Sequence, residues 1–185
     1  MTKRITALFI AVLIPLTLIL TGCGNQPAET VVDVTPVEFA PEGVQLTVGE
    51  YRETLMNLMK DYVVVLNDVP LDEENDTVAK LKPHWGEAKE SCRKCNEKLD
   101  MFGTINPPEK LVEKHKKLLE GVNNEKEYVA AMERFLTAKN NKDLKRYSEE
   151  LEKLVDRPTE ETLAGMFSEL SKELKEATDT VTSQL

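Results

Sequence analysis

From Thr47 onward, apolar residues recur at alternating steps of three and four, and few prolines interrupt this period. Such spacing places the apolar side chains along one side of a helix, which must then pack against other helices. Pro70, the pair Pro107-Pro108 and Pro158 divide the run, because proline does not continue a helix interior. The sequence therefore predicts an all-α fold, an antiparallel bundle of four or five amphipathic helices in residues 47–185.

Capping residues predict where individual helices begin and end. Thr47-Val48-Gly49-Glu50 is a capping box, in which the Thr47 and Glu50 side chains satisfy each other's free amides. It predicts a first helix that runs to about Asp68. Gly103 is expected to stop the second helix, and Asn106 to cap the third, with two prolines in its first turn. Pro158 is expected to break or bend the last helical segment.

The N-terminus has the layout of a secretion signal. Lys3 and Arg4 precede an apolar run that ends at Leu20. This run is shorter than the roughly 20 apolar residues that a membrane-spanning helix needs, and it contains Pro15. We expect residues 1–22 to be removed in the mature protein and to form a helix in any precursor that retains them.

Leu20-Thr21-Gly22-Cys23 resembles the lipobox of bacterial lipoproteins, which has an aliphatic residue, two small residues and a cysteine. The resemblance implies cleavage before Cys23, a diacylglyceryl group on its thiol, and often a further acyl chain, such as palmitate, on its amine. It also implies a protein held by lipid on the extracytoplasmic face of the cell membrane, since two acyl chains anchor a protein stably. The alternative is an ordinary signal peptide with a chance cysteine near its cleavage site.

Between Cys23 and the predicted bundle, the chain shows no helical period and contains Pro27, Pro36 and Pro41. We interpret residues 23–46 as the lipidated cysteine followed by a disordered tether. The chain contains 33 acidic and 24 basic residues, and two of the basic ones lie in the predicted signal, so the mature chain would carry a net charge of −11. This charge argues against a nucleic-acid partner.

Several enzyme signatures are missing from the sequence. It has no glycine-rich phosphate loop, no G-x-S-x-G and no H-E-x-x-H. It also lacks the E-x-x-H of di-iron bundles, because Val112 stands three residues before His115. We therefore predict that the protein is not an enzyme.

Cys92 and Cys95 are the main candidates for other chemistry, and three interpretations are open: a disulfide, buried free thiols, or metal ligands. If the turn between the second and third helices centres near Ile105, Cys95 and His115 lie at the same level of the hairpin. Cys92 would lie one turn away, so the three side chains would provide three of the four ligands of a zinc site. The alternative for His115 is a packed imidazole whose nitrogens bond to neighbours.

The spacing of Pro108, His115 and Leu118 is similar to a pattern in small helical lipoproteins of Gram-positive bacteria, whose function is not established. This resemblance supports a bundle and implies no activity. The sequence thus favours a non-enzymatic, lipid-anchored binding or scaffold module for an envelope protein partner, with no cofactor beyond the lipid on Cys23. The alternative is a metal-binding or redox-sensing lipoprotein that uses Cys92, Cys95 and His115.

Overall fold

The computed structural model describes residues 34–71 and 76–182, with side chains as far as residue 175. The predicted signal helix and Cys23 lie outside the described residues. Within the described ranges the chain is helical and contains no β-strand, which confirms the predicted all-α fold. The helices are α1 Val48–Asn67, α2 Val78–Leu81, α3 Trp85–Thr104, α4 Val112–Leu136, α5 Asn141–Val155 and α6 Leu163–Thr182, with 3-10 turns at Lys82–His84, Glu109–Leu111 and Thr159–Glu161.

Helix α4 is the longest of the helices in the described ranges and has neighbours on several sides. Helix α1 runs antiparallel to α3, as two contacts show: Lys98 Nζ lies 3.2 Å from the Asp61 carboxylate, and the Ser91 hydroxyl donates to the carbonyl of Asp68. Helices α5 and α6 both run antiparallel to α4, one along each half. The ion pair of Arg134 with Glu150 marks the first contact, and that of Lys114 with Glu173 marks the second. The prediction that Pro158 breaks or bends the last helical segment is confirmed as a break, since α5 ends at Val155 and α6 begins at Leu163.

The start of α1 follows the predicted capping box. The hydroxyl of Thr47 accepts a hydrogen bond from the Glu50 amide at 3.3 Å, and the Thr47 amide donates to the Glu50 carboxylate at 2.9 Å. The buried residues of this helix recur at steps of three and four, as its sequence predicts: Tyr51, Leu55, Leu58 and Tyr62. The helix ends at Asn67, three residues before Pro70.

The α3–α4 connection differs from the prediction. Asn106 does not cap α4; its side-chain amide donates to the carbonyl of Gly43 at 3.0 Å. Gly103 lies inside α3, which continues to Thr104, so this glycine is not the stop. Residues 105–108 are not helical, and α4 follows a 3-10 turn that begins at Glu109. The turn is therefore longer, and centred later in the sequence, than the capping signals suggested.

Residues 37–46, which we call the strap, lie across the end of α3. The backbone amides of Ala40, Glu42 and Leu46 donate to the carbonyls of Gly103, Thr104 and Asn106 at 2.9–3.1 Å. The last carbonyls of a helix have no partner within it, so they are free to accept these bonds. The predicted tether of residues 23–46 is thus too long, since its described part from Val37 onward is docked on the bundle.

The close approach of the strap depends on Gly103. A Cβ atom at this position would lie 2.7 Å from Cγ1 of Val37 and would also overlap the carbonyl oxygen of Glu38. Gly103 does not have a positive φ, so its backbone conformation alone would not require glycine. Glycine is needed there because the strap backbone occupies the space of a side chain.

None of the helices in residues 34–71 and 76–182 combines the length and the apolar character needed to cross a bilayer.

Candidate functional site

The three side chains that the sequence singled out for chemistry all lie in the core. Cys92 and Cys95 on α3 and His115 on α4 are each 0% exposed. Any role they have must therefore be exerted through neighbouring groups inside the bundle. Their partners, described below, decide between the alternatives that the sequence left open.

Both ring nitrogens of His115 are occupied. Its Nε2 lies 2.9 Å from the carbonyl oxygen of Phe102, which can only accept, so Nε2 carries the hydrogen and donates. Its Nδ1 lies 2.9 Å from the hydroxyl of Tyr51, which then donates to it. Burial lowers the pKa of His115, so the ring stays neutral in this tautomer. The imidazole has no free lone pair for a metal, and the packed-histidine interpretation is the one that the structure supports.

His115 connects four parts of the chain. It lies on α4, bonds to α1 through Tyr51 and to α3 through Phe102, and packs against the strap through Phe39. The rings of Phe39 and Tyr51 each meet the imidazole edge-on, with centroids 5.7 Å from it. The ammonium of Lys116, an exposed residue, lies 5.7 Å from the centroid of the Phe39 ring. This cluster is a joint that fixes how the strap and three helices meet.

The predicted alignment of Cys95 with His115 is wrong. His115 bonds at the level of Phe102, seven residues beyond Cys95, which is about 10.5 Å further along the α3 axis. Cys95 instead lies near enough to Glu125 for the two to interact: burial raises the thiol pKa, and the charge of Glu125 adds to that rise. The reason is the long connection: α4 begins at Val112, so the centre of the hairpin lies several residues beyond Ile105. Within residues 34–71 and 76–182, no three His, Cys, Asp or Glu side chains form a group that could hold a metal ion.

Cys92 and Cys95 are free, buried thiols. Burial raises the pKa of each to about 12, and the nearby carboxylates of Glu133 and Glu125 add to the effect. At neutral pH both thiols are therefore protonated, and the thiolate is the reactive form. Of the three alternatives, the structure shows two small core residues and no disulfide.

The polar residues that interrupt the apolar face of α4, Asn123 to Lys126, form a site that the sequence did not assign. Each of the four side chains reaches a different neighbour. Asn123 accepts from the Val37 amide at 2.6 Å, and Asn124 donates to the carbonyl of Glu161 at 2.7 Å. Glu125 accepts from the Tyr62 hydroxyl at 2.6 Å, and Lys126 pairs with Asp100 at 2.6 Å. One helical turn thus binds the strap, α1, α3 and the break between α5 and α6.

Glu125 is the most unusual member of this turn. Burial raises its pKa, and the hydrogen bond from Tyr62 and the charge of Arg157 oppose that rise only in part. Arg157 stays nearby because it donates to the Asn124 carbonyl at 3.1 Å and pairs with Glu127. In the sequence, the only signal for the site at Asn123 to Lys126 was a polar interruption in an apolar stripe. The partners of these four residues lie 26 to 86 residues away along the chain, so no local pattern identifies them.

The clusters around His115 and at Asn123 to Lys126 are thus polar contacts that connect different parts of one packed core. Their side chains bond to, or pack against, other parts of the same chain. No known protein family, curated protein or solved structure matches this chain. Its function must therefore be argued from its own residues.

Proposed function

We propose that this protein is a lipid-anchored helical module on the extracytoplasmic face of the cell membrane, where it binds or scaffolds an envelope protein and catalyses no reaction. One observation carries the anchor: Leu20-Thr21-Gly22-Cys23 follows a basic start and an apolar run too short to span a bilayer. A diacylglyceryl group on Cys23 would supply two acyl chains, enough for stable attachment.

The described structure supports a binding role over catalysis. Cys92, Cys95 and His115 are buried, and the histidine nitrogens are both occupied. A general base or nucleophile must reach its substrate within hydrogen-bond distance, and none of these three groups is open to solvent. Since His115 has no free nitrogen, we do not extend the proposal to metal binding or redox sensing through these residues.

The anchor is tested by labelling cells that express the full precursor with a radioactive fatty acid. Wild-type protein should carry the label, and Cys23→Ala should lose it and accumulate as the uncleaved precursor. Cys92→Ala is the matched control, since it removes a cysteine from the core and should retain the label. Label that persists in Cys23→Ala would show that the lipid is not on this residue.

The binding role is tested with photo-crosslinking side chains placed on the anchored protein. Met56 and Val64 on α1 suit this purpose because both are apolar and about half exposed. Glu152 and Lys153, exposed on α5, provide comparison positions. Adducts with one envelope protein from one helix and not the other would support a binding surface. Equal, weak labelling of many proteins from both helices would count against it.

A further inference from the structure

The strap is held by fewer contacts than the bundle beneath it. Of its ten residues, Val37 is buried, Phe39 and Leu46 are partly buried, and the other seven are exposed. Its attachment consists of two backbone bonds to the end of α3 and one to Asn106, the bond from the Asn106 side chain to the Gly43 carbonyl, the bonds of Val37 to Asn123, and the packing of Phe39 on His115. Segments with few buried contacts and exposed hydrogen bonds open well before the global unfolding of a domain.

Undocking the strap would leave the hydrogen bonds between the helices in place, and Asn123, which loses its bonds to Val37, is only half-buried. The bonds of His115 to Tyr51 and Phe102 join helices to one another and do not involve the strap. Thr104 is exposed, so its carbonyl can bond to water when the strap leaves. The bonds that Gly103 and Asn106 accept from the strap lie at the same helix end. No buried ion pair of the bundle is broken, because the strap takes part in none of them.

Docking also determines how much chain separates the anchor from the bundle. With the strap docked, the 13 residues 24–36 separate Cys23 from the first docked residue, a span of at most about 43 Å. With the strap released, residues 24–46 provide at most about 76 Å. The ten residues of the strap thus change the maximum reach by about 33 Å.

We propose that the strap is a releasable brace: docked on α3 and α4, it holds the bundle close to the membrane, and released, it lets the bundle reach further into the envelope. The membrane side of this proposal rests on the lipid anchor proposed above. The release itself depends only on the contacts of the strap with the helices, so it can be measured without a membrane.

The first experiment measures hydrogen exchange in the mature chain, purified in detergent. The amides of Ala40, Glu42 and Leu46 should exchange at least tenfold faster than core amides of α4. Gly103→Ala should accelerate them at least tenfold again, because the added methyl group occupies the space of the strap, while α4 amides change less than twofold. Gly86→Ala is the matched control on the same helix, since a Cβ there has no heavy atom within 4 Å, and it should change neither.

A second variant acts from the strap itself. Phe39→Ala removes the ring that packs on His115 and leaves every helix residue unchanged, so it should also accelerate strap exchange selectively. Strap amides that exchange at the same rate as α4 in the wild type would overturn the proposal, because the strap would then open only when the whole domain unfolds. Equal acceleration of strap and α4 amides in both variants would overturn it as well.

The second experiment measures reach. Lipidated protein carrying a donor dye at Lys153→Cys is bound to vesicles that contain acceptor lipids. Gly103→Ala should lower energy transfer relative to wild type and to Gly86→Ala. Unchanged transfer despite faster strap exchange would refute the bracing role. Absence of wild-type protein from the vesicles would instead refute the lipid anchor and leave the exchange result standing.

Discussion

Tyr51→Phe tests whether His115 is a joint of the fold. The change removes one hydroxyl from a fully buried side chain and keeps the ring that packs against the imidazole. His115 Nδ1 then loses its donor at 2.9 Å. Moving the hydrogen from Nε2 to Nδ1 would not relieve this loss, because the Nε2 lone pair would then face the carbonyl oxygen of Phe102, which can only accept. The variant therefore leaves a buried acceptor without a partner.

The expected loss follows from that unsatisfied atom. Leaving a buried polar group without its hydrogen bond costs about 1–3 kcal/mol, whereas the net contribution of a typical bond is nearer 1 kcal/mol. In a domain of this size each kcal/mol lowers the melting temperature by about 2–4 °C. We therefore expect Tyr51→Phe to lower it by about 2–12 °C. The helix content should not change, because no helix loses a backbone bond.

Thermal unfolding followed by circular dichroism measures this loss, and Tyr147→Phe is its control. Tyr147 lies on α5 and is only partly buried, and its hydroxyl accepts from the guanidinium of Arg146, so water can replace that bond. The control should lose no more than about 0.5 kcal/mol. If Tyr51→Phe is no more destabilising than Tyr147→Phe, the argument that His115 depends on Tyr51 is wrong.

Three further predictions address the core. Burial lowers the pKa of His115 below its usual 6.5, so the unfolded chain takes up a proton more readily than the folded one. The free energy of unfolding should therefore be unaffected by this histidine above pH 6.5 and should fall as the pH drops below it. Melting temperatures measured over a pH series should show a smaller fall in His115→Gln. Gly121→Ala places a Cβ 2.8 Å from the sulfur of Met166, and chemical denaturation should show a loss of about 1–3 kcal/mol, with Gly49→Ala, which has open space, losing none. The two core cysteines should resist a thiol reagent in the native protein and both react after unfolding, since burial raises the pKa of each to about 12. If they react in the native protein as fast as an exposed thiol does, they are not buried.

The helices could be predicted because their signals are local. The capping box at Thr47, the apolar stripe of α1 and the break at Pro158 each act within a few residues, through backbone bonds and steric exclusion. The same local signals failed at Gly103. A glycine near the end of an apolar stripe has the same local pattern whether it stops a helix or makes room for another segment, and here it makes room for the strap.

The partners across the bundle could not be predicted, because they depend on the length of the α3–α4 connection. Counting from a turn centred at Ile105 aligned Cys95 with His115, but residues 105–108 are not helical and α4 begins only at Val112. The four polar residues Asn123 to Lys126 were visible only as a gap in a stripe. That each of them binds a different element became evident only from the packing of all the helices.

The sequence by itself determined the amphipathic helices and their proline breaks, because each of these is specified by a short linear pattern, and it predicts the lipid anchor from another such pattern. Only the tertiary structure decided that residues 37–46 form a docked strap and not part of a tether. Amides of a segment without periodicity can bond to water equally well, so nothing local distinguishes the two states. What favours docking is a set of unpartnered carbonyls at the end of α3 and the missing side chain of Gly103, about 60 residues away along the chain.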